Sequence, residues 1–466
     1  MLGFLKDTDG DIEGLTGSES NPIDPALSGQ GSVAPVRVSR FSGTDGYVTD
    51  PDPAHEYPDV TLQIFGETPT PSPPIPRNDG FVLSYSRVPD SGGVPVGTQT
   101  GRTIMECFDP VPQLPVLTTL ARAFVLCDHW FSSVPGPTWP NRFFVHAATS
   151  NGHTNSPAIL SAIQDELGFS TYGMRTIYDS LSDQDLEWTI YYHDFPQALA
   201  LTNLHSCLDR FQGFGSFLSD VAEGTLPAYS FIEPRYFNGI DGKANDQHPP
   251  HDVRDGERLI ATVYEALRNN ISLFEETLLV VLYDEHGGYF DHVPPPPSIN
   301  PDGRISADDP PFCFDRLGIR IPALLLERGE SSSGNGERGP FHQSCSGGGP
   351  RYFKRPGGAD TCGRNPGLPS GYHSLGHKQS PSAPPDPVGS FPNAGKKGVA
   401  RQRVGRNRGL IDCPISPKER TGISPNMSLS QYGTMFVRQA GPSSHFPWRN
   451  AKPQFPFRIR DLSLSR

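Results

Sequence analysis

Residues 278–292 read Leu-Leu-Val-Val-Leu-Tyr-Asp-Glu-His-Gly-Gly-Tyr-Phe-Asp-His. An apolar run breaks here into two adjacent carboxylates, Asp284 and Glu285, then His286 and the pair Gly287 and Gly288. Carboxylate oxygens beside an imidazole are hard ligands suited to a divalent metal ion, whose identity these residues leave open. Paired glycines let the backbone turn sharply and approach an ion or a phosphate. The same residues also read as a solvated acidic turn. A second candidate is Thr138, clamped by Pro135, Gly136, Pro137 and Pro140 just ahead of a helix through His146. A helix N-terminus favours a phosphate or a developing alkoxide, so Thr138 is a nucleophile candidate as well as an N-cap candidate. Arg142 nearby is either a phosphate ligand or a surface charge. His248 and His251, three apart, could both be ligands, with Asp252 as a cap for the helix that follows. His55, in Asp52-Pro53-Ala54-His55-Glu56, stands alone in polar surroundings, and His129 closes an apolar run.

These side chains need a scaffold. Residues 278–282 suit a strand buried on both faces of a parallel sheet, and ligands of such sheets bind beyond the strands' carboxyl ends. Residues 188–192, 228–234 and 319–326 have strand character, residues 254–269 form an amphipathic helix, and 114–123 a further helical run. Residues 60–65 suit a helix or a short strand. The order strand 228–234, helix 254–269, strand 278–282 implies a right-handed crossover between parallel strands. The expected class is α/β with a mostly parallel central sheet.

Composition sets limits. The chain has 466 residues and a formal net charge of −12. Residues 327–466 hold 21 basic and 8 acidic residues, a net of +13, and residues 1–326 hold 18 and 43, a net of −25. The acidic body argues against a nucleic-acid surface and suits a cation-dependent site. Seven cysteines form no CxxC pair, which indicates neither a zinc site nor a redox motif. No apolar run is long enough for a membrane span, and the first residues lack the pattern of a signal peptide.

Residues 283–297 resemble the DEHGG-F-DHVPPP motif of a phosphoesterase family that includes phosphatidylcholine-hydrolysing phospholipases C and some acid phosphatases. Residues 14–22, 46–66, 124–142, 231–237, 246–269 and 314–326 resemble its other blocks in the same order, with the spacing of the nonspecific phospholipases C. The resemblance implies an alkaline-phosphatase-like α/β sandwich and metal-assisted phosphoester hydrolysis. It makes Thr138 the nucleophile, places Asp284, Glu285 and Thr138 at the metal, and gives His55 and His248 as phosphate-contacting catalytic histidines. His129, Arg142 and His251 fall at substrate-binding positions. The implied substrate is a phosphatidylcholine-type phospholipid, cleaved to diacylglycerol and a phosphorylated head group, with peripheral contact to a membrane. An acid phosphatase of soluble monoesters, or a homologue that has lost its site, are the alternatives.

Two departures from the family pattern carry expectations of their own. Family members have a Glu-Asn-Arg-Ser-Phe-Asp-His segment, following the first sheet strand, before the equivalent of Met1. Its first two residues are expected metal ligands, so the sheet is expected to miss a strand and the activity to be impaired. After Leu326 the family continues into a Ser-Pro-Trp-type loop, whereas this chain turns rich in Gly, Pro, Ser and Arg. Residues 1–326 are thus expected to form the phosphoesterase domain and 327–466 a disordered basic tail. The abrupt switch reads as an out-of-frame or intron-derived translation, with Met1 as an internal start.

Overall fold

A seven-stranded sheet carries the molecule's chemistry at one of its ends. The computed structural model describes residues 1–24, 34–41, 43, 45–66, 75–156, 172–308, 311–327 and the strand Met435–Gln439. By contacts the chain divides into Met1–Arg351 with Arg420–Arg466, and Tyr352–Glu419; the second unit lies wholly outside the described residues. The strands are β1 (Val125–Leu126), β2 (Trp188–Tyr192), β3 (Phe211–Gly213), β4 (Tyr229–Glu233), β5 (Thr277–Leu282), β6 (Ala323–Leu326) and β7 (Met435–Gln439). Their order across the sheet is β1-β6-β5-β7-β4-β2-β3.

Both faces of the sheet are covered, which explains the unbroken apolar runs. Along β5, Leu279 and Val281 pack on one side and Val280 and Leu282 on the other. The first side receives α2 (Pro115–Ala123), α5 (Phe214–Glu223) and α6 (Val253–Asn269). The second receives α3 (Thr138–Ala147) and α4 (Ile177–Ser182). Residues 60–65 lie in the helix α1 (Tyr57–Phe65). Asp252 caps α6 as expected, accepting from the Arg254 amide at 2.9 Å. On the same helix the buried Glu257 takes the amides of Val116 and Leu117 at 2.7 and 2.9 Å, fixing α6 to the start of α2. These layers are mixed α/β.

Three expectations about the sheet are corrected. β6 covers less than residues 319–326 and runs antiparallel to both β5 and β1. Among the described residues, 283–322 form no helix or strand, so the chain returns beside β5 as an antiparallel neighbour without a crossover. Secondly, β4 and β5 point the same way but are not adjacent, because β7 lies between them, antiparallel to each. Thirdly, β7 comes from the segment expected to be disordered. The crossover through α6 sets β4 and β5 one position apart, and their facing backbone groups must be paired. Phe436 and Val437 are good strand formers, and the gap selects them despite the composition around them. The rest of the tail, 328–434 and 440–466, lies outside the described residues.

Candidate active site

β5 delivers the two carboxylates at its carboxyl end. Glu285 is buried, which removes the solvated-turn alternative for it. Its Oε2 accepts the Gly287 amide at 2.6 Å, and its own amide donates to Asp284 Oδ1 at 3.0 Å. Gly287 and Gly288 have φ of +63° and +71°. A Cβ at Gly288 would stand 2.7 Å from Pro53 Cβ and 2.8 Å from the Ala54 carbonyl, so only glycine lets the segment bearing His55 lie against this turn. His286, the third polar residue of the motif, donates through Nε2 to Gln63 Oε1 at 2.8 Å. Burial pulls its pKa down to about 3, so it is a neutral strut.

His55 and His248 meet across this turn. Their Nε2 atoms are 3.3 Å apart, while the Nδ1 of His55 lies 2.7 Å from the Pro53 carbonyl and that of His248 lies 2.5 Å from the Pro249 carbonyl. Each Nδ1–H therefore donates to backbone, leaving the two Nε2 atoms to face one another. Burial works to lower the His55 pKa, but the charges of Glu285 and Asp52 outweigh it and raise the value to about 9. Burial likewise pushes Glu285 up to about 7 against the opposing charge of His55.

Among the described residues, Asp52, His55 and His248 form a group whose ligand atoms lie within 4.8 Å of one another. The chemistry of this set fits a divalent ion. Two imidazole nitrogens on one tetrahedral centre, bound at about 2.0–2.1 Å, would be about 3.3–3.4 Å apart, which the Nε2 pair already matches. Carbonyls holding both Nδ1–H groups are the outer partners that orient ligating histidines. Asp284 and Glu285, expected from the sequence to hold the metal with Thr138, stand beside this group and are not members of it.

Thr138 is the first residue of α3; Pro137 takes the N-cap position, so the N-cap reading of Thr138 is corrected. Asn141 pins the preceding loop, donating to the Gly136 and Pro137 carbonyls at 2.9 and 3.0 Å and accepting from the Val134 amide at 2.8 Å. One turn along α3, Arg142 is buried, not a surface charge. Its Nη2 reaches Glu233 Oε2 at 3.2 Å and the Tyr236 hydroxyl, its Nη1 lies 3.7 Å from Asp284 Oδ2, and its Nε has no hydrogen-bond partner.

Thr138, Arg142, His55, His248, His251, Asp284 and Glu285 all line one cavity of about 1090 Å³. His129 does not line it; its ring packs edge-on against Phe131. His251 Nδ1 donates to Asp246 Oδ1 at 2.8 Å, and this bond is the main cause of its raised pKa. Four further residues belong to the site although the sequence reading gave them no role: Asp52, Glu233, Tyr236 and Asp246. Glu233 ends β4 as Asp284 follows β5, and that strand-end position was its one visible signal.

The family model described as "Phosphoesterase family" matches residues 1–331. The chain belongs to this phosphoesterase family. It is 38% identical to the non-specific phospholipase C3 of Arabidopsis thaliana over 338 residues, covering 70% of this chain and 60% of that protein. Non-specific phospholipase C6 of the same plant is also 38% identical, over 332 residues, covering 70% of this chain and 58% of the relative. Phospholipase C B of Mycobacterium tuberculosis (strain ATCC 25618 / H37Rv) is 30% identical over 248 residues, 46% of this chain and 45% of that protein. This chain thus spans about three fifths of the length of the plant relatives it matches.

Proposed function

We propose that this cavity hydrolyses phosphoesters in the manner of a phospholipase C, on an alkaline-phosphatase-like sandwich, with phosphatidylcholine-type lipids as substrates. The observation that carries the reading is the convergence, in one cavity, of Thr138 at a helix start with the buried Arg142 and the His55–His248 pair. Plant and mycobacterial relatives named as phospholipases C support the substrate class.

The Thr138 hydroxyl gives up its proton to water in the cavity and attacks phosphorus, forming an O–P bond as the bond to the diacylglycerol oxygen breaks. The positive end of α3 and the Nη1 side of the Arg142 guanidinium face the phosphoryl oxygens as charge builds on them. His251, whose Nδ1–H is held by Asp246 and whose pKa that bond raises, hands a proton to the departing diacylglycerol oxygen. Water then cleaves the phosphothreonine, releasing the phosphorylated head group and regenerating the hydroxyl. Asp52, His55 and His248 would hold a divalent metal, which would supply neutralising charge to the phosphoryl group. Glu285 holds His55 by its charge, and Asp284 steadies Arg142.

Turnover of phosphatidylcholine vesicles and of p-nitrophenyl phosphate tests this directly. Thr138→Ala should lower both by on the order of 10⁴-fold while the protein stays folded. Equal turnover by the variant would remove Thr138 as nucleophile. Hydrolysis of p-nitrophenyl phosphate alone would replace the lipid reading with that of a soluble-monoester phosphatase. Bound metal measured by elemental analysis should be lost in His248→Ala, and its retention would move the ion elsewhere.

A further inference from the structure

Residues 235–245 form a hairpin beside the cavity, and its base is firmly held. The Asn245 amide donates to the Arg235 carbonyl at 2.9 Å and its side chain accepts the Arg235 amide at 2.6 Å. Further out, Asn238 Oδ1 accepts the Ala244 amide at 3.0 Å. At the end, Gly239 and Gly242 exchange backbone bonds of 2.9 and 3.3 Å. Asp194 anchors the first arm from outside, its Oδ2 accepting the amides of Tyr236 and Phe237, both at 2.9 Å. A two-residue tip remains, Ile240-Asp241.

Such tips ordinarily carry Gly, Asn or Asp, whose backbone suits the turn. Isoleucine contributes nothing of that kind, and in this fold its side chain is fully exposed, at 105% of the reference area. Phe237, on the adjoining arm, is 48% exposed. Single exposed apolar residues are common and mean little. These two differ in position: Phe237 and Asn238 form part of the cavity wall, together with Phe195 from the loop that Asp194 anchors. The exposed apolar tip therefore lies two residues beyond Asn238 of the cavity wall.

We propose that Ile240 is an interfacial anchor that inserts into a zwitterionic lipid surface and sets the cavity mouth against the head groups. This rests on the phospholipase reading and extends it to how the substrate is reached. Charge favours a zwitterionic surface over an anionic one. Asp241 and Lys243 cancel at the tip, and the whole chain carries a net of −12, which an anionic bilayer would repel. Insertion of a side chain so near the opening lets a lipid move from bilayer to cavity without crossing water with its acyl chains exposed.

Ile240 is absent from the cavity wall, so its replacement should leave soluble turnover intact. Ile240→Asp should lower binding to phosphatidylcholine vesicles, measured by sedimentation, on the order of 10²-fold. Hydrolysis of vesicles should fall in parallel while that of p-nitrophenyl phosphate is unchanged. In Ile240→Trp, the emission gained over the parent protein should shift blue on vesicles and be quenched by brominated acyl chains. An introduced tryptophan that stays in water, or an Ile240→Asp variant that binds like the parent, overturns the anchor. Tighter binding to vesicles containing phosphatidylglycerol would overturn the zwitterionic preference. Quenching with no turnover of either substrate would instead remove the hydrolytic reading and leave the anchor standing.

Discussion

Two arginines line the same cavity, Arg142 buried and Arg320 half-buried, and they are treated in opposite ways. Arg320 grips Asp291 with two bonds of 2.7 Å and gives Nη1 to the carbonyls of Glu13 and Asp128 at 3.0 and 2.8 Å. Arg142 meets Glu233 and Tyr236 through one nitrogen, leaves Nε without a partner, and keeps 3.7 Å from Asp284. Glu233 is itself occupied elsewhere, accepting the amides of Gln197 and Ala198 at 3.1 and 2.9 Å. A buried donor left unmade is costly, and such cost is retained where a ligand completes the set. Around Arg320 the fold has closed its electrostatics; around Arg142 it has left them open. The open side is also where Glu285 is raised to about 7 by burial and His55 to about 9 by its carboxylate neighbours against the effect of burial. The contrast separates a brace from a site.

If that contrast is right, the two arginines should fail differently. Arg320→Met leaves the half-buried Asp291 without its partner, and should cost about 3 kcal/mol in unfolding free energy. Urea denaturation measures this, and a loss under about 1 kcal/mol would deny Arg320 its bracing role. Arg142→Lys keeps the charge but not the planar fork. It should lower kcat/KM for phosphoester hydrolysis by about 10²-fold with only a small change in thermal midpoint. A collapse in stability with unchanged turnover would make Arg142 a second brace. The smallest effect concerns acid. Burial alone would raise the Asp291 pKa, but Arg320 outweighs it, and the net value is lowered. A lowered carboxyl pKa gives stability that is present above the ordinary carboxylate value and is lost as pH falls through the folded one. Asp291→Asn should therefore show a shallower acid-side decline in stability than the parent protein, read from denaturation midpoints between neutral and strongly acid pH. Identical slopes would mean that the pair makes no difference to proton uptake.

Much of the scaffold was legible because its signals are local. Residues 188–192, 229–233 and 277–282 alternate over two buried faces, and the helix Val253–Asn269 shows its apolar stripe and its Asp252 cap in the sequence. β6 was read as a strand but its direction was not, since direction depends on how the chain returns from the site. Thr138 was placed at the start of its helix to within one position, by prolines whose geometry is intrinsic.

What the sequence determined by itself was therefore the inventory: which stretches can be buried on two faces, where they break, and which titratable groups stand at the breaks. The tertiary structure alone decided which of those groups meet. His55 and His248 are 193 residues apart and face each other because Gly288 admits the segment before His55, a condition no local pattern expresses. Glu285 looks like any strand-end carboxylate until burial and the opposing charge of His55 set its state, and Glu233 until the fold buries it against Arg142. The sheet position of Met435–Gln439 was illegible for the same reason. It is fixed by the unpaired backbone edges of β4 and β5, and those edges exist only once the distant strands have assembled.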